Sequence, residues 1–118
     1  GAYINEILVN PDWKTMTVNN VEWRIRESGK SIELVANNVW WNAAHGETKY
    51  KILLPSGLIP NTNYVVNWNK TISNSDSYFN KVDFIIAKKE KDGFTLKSWN
   101  DAASSVEFNL DIHVVCMK

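Results

Sequence analysis

Apolar and polar residues alternate with a period of two along most of the chain. The clearest run lies near the C-terminus, where apolar residues would form one face of an extended segment and polar residues the other. The apolar positions are Val106, Phe108, Leu110, Ile112 and Val114, and the polar positions are Glu107, Asn109, Asp111 and His113. Because successive side chains of a strand point to opposite faces, this pattern predicts a long, half-buried β-strand.

The same alternation recurs in shorter segments separated by turn signals. The further predicted strands cover residues 21–26, 32–34, 50–54, 64–69, 82–86 and 94–96, with a weaker candidate at 4–9. We expect Gly29 to supply a positive φ in one hairpin turn, and Asp92-Gly93 to form a type I′ turn in another. The Ser- and Asn-rich stretch 71–80 predicts a polar loop.

The number and spacing of these segments indicate the fold class. Roughly eight strands without a helical pattern of useful length predict an all-β fold, an antiparallel β-sandwich or barrel. The chain has 118 residues, and no internal repeat or linker divides it. Residues 1–118 are therefore expected to form a single domain, since single domains commonly have about 100–150 residues.

Charge and cysteine content narrow the range of partners. The 13 basic residues are balanced by 13 acidic ones, so we expect no nucleic-acid partner, which would need a concentrated basic face. No apolar run approaches the roughly 20 residues that span a bilayer, so no membrane insertion is expected.

The one cysteine, Cys116, falls on the apolar side of the last predicted strand and is interpreted as a core residue.

Tryptophan is the most informative residue type in the composition. The chain has 6 tryptophans, of which Trp23 and Trp68 fall on the inward side of predicted strands. Neighbouring side chains of an extended segment point to opposite faces, so two adjacent tryptophans cannot both point inward. We therefore expect one ring of the Trp40-Trp41 pair to be exposed or to lie at an interface. The tryptophans that fit no alternation are Trp13, Trp40, Trp41 and Trp99.

Two short segments combine tryptophan with polar side chains in a way that suits a saccharide. The C–H faces of a sugar stack on aromatic rings, and its hydroxyls need paired donors and acceptors. The candidate saccharide ligands are Trp40, Trp41, Asn42, His45, Trp99, Asn100 and Asp101. Two alternatives remain open: a subunit interface at the tryptophan pair, because aromatic residues are enriched in interfaces, and an Asn-Asp turn after Trp99.

No motif indicates catalysis. The 2 histidines, His45 and His113, have no recognisable partner spacing, and no zinc motif, phosphate-binding glycine loop or nucleophile elbow occurs. The carboxylates of Asp76, Asp83 and Asp111 are isolated and do not have the spacing of a calcium loop. The sequence therefore predicts a binding protein without catalytic residues, metal or cofactor.

Four segments, taken in order, resemble a known family. Residues 23–34 and 50–60, the latter with Leu54-Pro55-Ser56-Gly57-Leu58-Ile59-Pro60, are similar to head domains of bacteriophage tail-fibre and receptor-binding proteins. Residues 63–66 and 92–97 resemble the terminal, H-type-lectin-like domains of phage tail fibres. The resemblance runs from Trp23 to the end of the chain. The last strand does not match the sugar-contacting residues of that family, so none of them is transferred.

The resemblance implies a location and a partner. It implies a homotrimer at the tip of a tail fibre on the virion, made in the bacterial cytoplasm, which adheres to host cell-wall or surface saccharide. Two other functions stay open. One is a structural trimerising cap of a fibre without a ligand of its own, and the other is an accessory carbohydrate-binding module of a glycan hydrolase.

Overall fold

The computed structural model describes residues 12–72 and 81–118 of the chain, and these residues form an all-β fold as predicted. No α-helix occurs among them. Their eight strands are β1 (Lys14–Val18), β2 (Val21–Glu27), β3 (Ser31–Ala43), β4 (Gly46–Leu53), β5 (Val65–Ile72), β6 (Val82–Glu90), β7 (Gly93–Asn100) and β8 (Val106–Met117). The weak strand predicted at 4–9 and residues 73–80 of the predicted loop lie outside the described residues.

The strands form two antiparallel sheets, so the fold is a sandwich. The larger sheet has the order β1-β2-β3-β8-β5, and the smaller has the order β4-β7-β6. Strand β3 lies in the centre of the larger sheet and β4, which follows it, lies at an edge of the smaller one. The chain thus crosses between sheets at Ala44-His45, between the end of β3 and the start of β4.

The core lies between the sheets and follows the predicted alternation. Every apolar residue predicted to face inward from β8 is buried, and Cys116 continues the series at the end of the strand. Phe94 and Leu96 from β7, together with Trp23 from β2, are also fully buried. Burying one such large apolar side chain stabilises the fold by about 1.5–3 kcal/mol, so this layer is the main source of stability.

A bulge interrupts β3 and explains why its alternation was not recognised along its whole length. Ala36 pairs with Ile112 and Val39 with Leu110, so two residues of β3, Asn37 and Asn38, oppose a single residue of β8. The extra residue reverses the phase of the strand. Asn38 takes a left-handed conformation with φ of 56°, which asparagine tolerates better than most residues.

Two predicted turn conformations are wrong. Gly29 is not among the residues with positive φ. Its turn is held instead by Ser28, whose hydroxyl accepts hydrogen bonds from the backbone N–H groups of Lys30 (3.3 Å) and Ser31 (3.2 Å). Asp92 and Gly93 also lack positive φ, so a type I′ turn is excluded there. Gly93 is required for space, since an added Cβ would lie 2.4 Å from the carbonyl oxygen of Ile52.

The first hairpin of the described chain was not predicted. Strands β1 and β2 are joined by Asn19-Asn20, and Val18 pairs with Val21 across the turn. Both asparagines have positive φ, 50° and 67°, which is the requirement of a type I′ turn. Four of the five residues of β1 are exposed, so the strand lacks the apolar alternation that reveals the others.

Buried polar contacts join the two sheets. The indole N–H of Trp23 donates to the carbonyl of Leu53 at 3.0 Å. The hydroxyl of Tyr64 lies 2.8 Å from the carbonyl oxygen of Glu90 and 3.0 Å from that of Gly93, where the β6–β7 hairpin closes. Burial, opposed in part by this bonding, raises the pKa of the Tyr64 phenol above its usual value.

Candidate functional site

The adjacent tryptophans of β3 point to opposite sides of the larger sheet. Trp41 is only 4% exposed, and its indole N–H donates to the hydroxyl of Ser98 in the other sheet at 2.9 Å. Its ring meets those of Tyr50 and Phe84 edge to face, with centroids 5.4 and 5.8 Å apart. Trp40 is 59% exposed on the outer face. The prediction that one ring of this pair would be exposed is confirmed, and Trp41 is a core residue.

Asn100 is buried and its side chain is fully used within the fold. Its amide nitrogen donates to the carbonyls of Ala43 (2.8 Å) and Ser104 (3.0 Å), and its side-chain oxygen accepts from the backbone N–H of Ala102 at 2.8 Å. These three bonds tie the β7–β8 loop to the end of β3. Asn100 therefore shapes the loop and is not accessible to a saccharide.

The remaining predicted residues near this loop are also engaged in hydrogen bonds within the fold. His45 Nδ1 lies 2.7 Å from the carbonyl oxygen of Ala102, and the indole N–H of Trp99 donates to Asp101 Oδ1 at 2.7 Å. Trp99 is 51% exposed on the outer face of the smaller sheet. Its cross-strand neighbours there are Glu47 and Asp83. We call this group, with Asn100, the Trp99 end of the sandwich.

The two exposed tryptophans do not share one site, although His45 of the first predicted segment lies at the Trp99 end. Trp40 lies on the outer face of the larger sheet and Trp99 on the outer face of the smaller one, with the core between them. Asn42 shares the outer face with Trp40, two residues further along β3. Its side-chain oxygen is buried and has no hydrogen-bond partner within the described part of the chain.

A pocket of about 430 Å³ opens beside Trp40, and sequence reasoning did not identify most of its residues. It lies between the β1–β2 turn and the β3 bulge, and its size falls within the usual range for ligand sites. We call it the Trp40 pocket. Its principal lining residues are Asn19, Asn20, Glu22, Asn37, Asn38 and Trp40.

The backbone accounts for the position of the pocket. The paired register of β2 and β3 ends at Arg24 and Val35, and beyond this point β3 bulges at Asn37-Asn38. The backbone N–H of Asn38 donates to Asp111 Oδ1 of β8 at 3.0 Å, which ties the bulge to the neighbouring strand. The gap left between β2 and the bulge is the Trp40 pocket.

The asparagine side chains that line the pocket are available to hydrogen-bond to a ligand. Within residues 12–72 and 81–118, the side chains of Asn19, Asn20 and Asn37 form no hydrogen bond, and all three residues are exposed. Each amide has two donor hydrogens and an acceptor oxygen. The two Asn-Asn pairs in the sequence were a detectable signal, but only the fold shows that they line one pocket with a tryptophan.

A second, shallower depression lies on the same outer face. It has a volume of about 270 Å³, and its exposed lining is almost entirely apolar, although polar residues contribute to it. We call it the Val35 depression. Its principal lining residues are Val35, Asn67, Trp68, Asn69, Asp111 and His113.

The described residues offer little for other chemistry. Among them, no group of three or more His, Cys, Asp or Glu side chains is placed to hold a metal ion. Nor do they include a helix with the length and apolar character needed to cross a membrane.

Comparison with known proteins gives no relative. The chain matches no protein-family model, no curated protein and no solved structure. The geometry of the two outer faces is therefore the basis for assigning a function.

Proposed function

We propose that this domain binds saccharide without catalysis, and that the Trp40 pocket is the binding site. The main support for this proposal is that the exposed indole ring of Trp40 lies in a pocket lined by two asparagine pairs, whose side-chain amides form no hydrogen bond within the described residues. A sugar can stack a C–H face on the ring of Trp40 while its hydroxyls exchange hydrogen bonds with Asn19, Asn20 and Asn37. Asn42 lies on the same face of β3, two residues beyond the tryptophan, with its side-chain oxygen buried.

The proposal retains part of the predicted residue set. Trp40 stays in it, Asn42 lies beside the pocket on the same face of β3, and the asparagine pairs are added. Trp41 and Asn100 are buried, and the polar groups of His45, Trp99 and Asp101 are engaged in contacts within the Trp99 end. Hydrogen bonding to a ligand by the bonded polar atoms of these residues would require the exchange of contacts that already exist, whereas the Trp40 pocket needs no such exchange.

The biological setting is proposed from the sequence resemblance. A head domain at the tip of a phage tail fibre would use this pocket to adhere to host cell-wall or surface saccharide. A shallow, solvent-exposed site is expected to bind weakly. Three copies on one fibre would raise the avidity, because each later contact becomes intramolecular.

An array of bacterial cell-wall polysaccharides and lipopolysaccharide O-antigens tests the binding function. The variant Trp40→Ala should lose at least about tenfold in affinity for any polysaccharide that the parent chain binds, equivalent to about 1.4 kcal/mol. Trp99→Ala is the matched control, because it removes a ring of similar exposure from the opposite face. We expect it to keep its affinity within about twofold, which is less than half a kcal/mol.

Two outcomes would contradict the proposal. Equal binding by the parent chain and Trp40→Ala would remove the pocket from the function. The second outcome combines two results: no polysaccharide on the array binds, and light scattering shows that Trp40→Ala dissociates an oligomer. This outcome would favour the structural cap, in which Trp40 fills a subunit interface.

A further inference from the structure

The Trp40 pocket and the Val35 depression lie side by side on one face of one sheet. In β8, Ile112 is buried, so Asp111 and His113 on either side of it point away from the core. Asp111 lines the depression and accepts the backbone N–H of Asn38, which lines the pocket, at 3.0 Å. One hydrogen bond therefore joins the lining of the pocket directly to the lining of the depression.

The two concavities together cross much of the sheet. The pocket begins at Glu22 on β2, and the depression ends at Asn67 and Asn69 on β5. In the order β2-β3-β8-β5, three inter-strand spacings separate these positions, which is roughly 14 Å. A single pyranose ring is shorter than this distance, so one sugar could occupy only one of the two concavities.

The two concavities offer complementary surfaces to a glycan chain. The pocket is lined by the Trp40 ring and by asparagines, whereas the exposed lining of the depression is almost entirely apolar, although Asn67 and Asn69 contribute to it. These asparagines are exposed, and within the described residues their side chains form no hydrogen bond. The apolar lining of the depression suits the C–H face of a sugar unit, and the exposed amides of Asn67 and Asn69 are available to its hydroxyls.

From this continuity we infer that the ligand is an extended glycan chain, bound along its length across β2, β3, β8 and β5 rather than by one terminal sugar. This inference depends on the proposed function, because it assigns the Trp40 pocket to one unit of the chain. It adds that neighbouring units occupy the Val35 depression. Affinity should therefore increase with oligosaccharide length until both concavities are filled, and then level off.

The test uses oligosaccharides of one to eight units, obtained by partial hydrolysis of a polysaccharide that the domain binds on the array. For the parent chain, isothermal titration should show at least a tenfold rise in affinity from the shortest to the intermediate lengths. Asn67→Arg places a long side chain over the depression and should reduce this rise to less than threefold. Asn69→Ala should reduce it in the same direction, and Asn63→Ala, outside both concavities, should retain it.

The outcomes separate this inference from the proposed function. If affinity does not depend on length, or if the rise persists in Asn67→Arg, the extended site is wrong while the Trp40 pocket stands. If Trp40→Ala binds every length as well as the parent chain does, the proposed function and this inference both fail.

Discussion

The Trp40 pocket and the Trp99 end contain similar residues but use their polar groups in opposite ways. Each has a tryptophan more than half exposed, with asparagines close by. At the Trp99 end, Asn100 forms three hydrogen bonds, and Trp99 donates to Asp101. In the Trp40 pocket, the side chains of Asn19 and Asn37 form none within the described residues.

This difference shows that the composition of a segment does not distinguish a binding site from a structural motif. A polar group that already bonds within the fold must lose that bond before it can serve a ligand, whereas an open group exchanges only water. We therefore expect substitutions at the Trp99 end to affect stability and substitutions in the Trp40 pocket to affect binding.

Trp41→Ala should have the largest effect on stability. It removes a buried indole and leaves Ser98 without its inter-sheet partner, so we expect a loss of about 3–5 kcal/mol in the free energy of unfolding. Trp40→Ala, at the adjacent position, should stay within about 0.5 kcal/mol of the parent chain. Urea unfolding of both variants measures the difference, and equal losses would refute the assignment of the two rings.

Asn100→Ala should be the next most damaging change. It leaves the carbonyls of Ala43 and Ser104 and the N–H of Ala102 without their partner, and each unsatisfied buried group costs about 1–3 kcal/mol unless water reaches it. We expect a total loss of about 2–4 kcal/mol. Asn42→Ala is the matched control, because the Asn42 oxygen has no partner in the described residues. A loss of similar size in both variants would contradict the distinction.

Local alternation in the sequence was sufficient to predict which side chains are buried in a strand without a bulge. In β8, buried and outward positions alternate without interruption, so Phe108 and Ile112 were placed correctly. The same rule showed that Trp40 and Trp41 must separate. It could not show which ring is buried, because the bulge at Asn37-Asn38 reverses the phase of β3 and leaves no strong local signal.

The pocket itself could not be predicted, because it depends on contacts between distant residues. Asn19-Asn20 and Asn37-Asn38 meet only because β1 folds back on β2 and β2 pairs with β3. The anchor of the bulge, Asp111, is 73 positions from Asn38. The bonds of Asn100 also span the fold, since Ala43 is 57 positions away. Residue type suggested Trp40 and the Trp99 end as ligand sites, and only the tertiary structure distinguishes the two and adds the asparagine pairs.

Tyr64→Phe tests a third group of internal polar contacts, at the β6–β7 hairpin. Loss of its bonding to the carbonyls of Glu90 and Gly93 should cost about 1–2 kcal/mol at neutral pH. Burial raises the pKa of Tyr64 above the value of 10.0 for an unperturbed tyrosine, so the unfolded chain ionises first as the pH rises. The stability that the phenol contributes is complete below pH 10 and declines above it.

The measurement is urea unfolding of the parent chain and Tyr64→Phe between pH 7 and pH 11. The difference in the free energy of unfolding between the two proteins should shrink above pH 10. A constant difference would show that the Tyr64 pKa is not raised in the folded state, since other titrating groups affect both proteins equally.

Asn37→Ala should have the smallest effect on stability and a clear effect on binding. The residue is exposed and its side chain bonds to nothing in the described residues, so unfolding should change by no more than about 0.5 kcal/mol. Loss of one hydrogen bond to a bound sugar should lower affinity by about threefold to tenfold, corresponding to roughly 0.5–1.5 kcal/mol. Calorimetric titration with a polysaccharide selected on the array measures the affinity. A destabilised variant with unchanged affinity would show that Asn37 supports the fold and not the binding of a ligand.

The most direct test of the Trp40 pocket is a two-dimensional NMR spectrum that resolves the indole N–H signals during titration with a bound polysaccharide. Trp→Phe variants assign the signals. Our account predicts that the Trp40 signal shifts or broadens in proportion to saturation, while the signals of Trp41 and Trp99 keep their positions. A shift of the Trp99 signal with Trp40 unchanged would place the ligand on the opposite face and contradict the account.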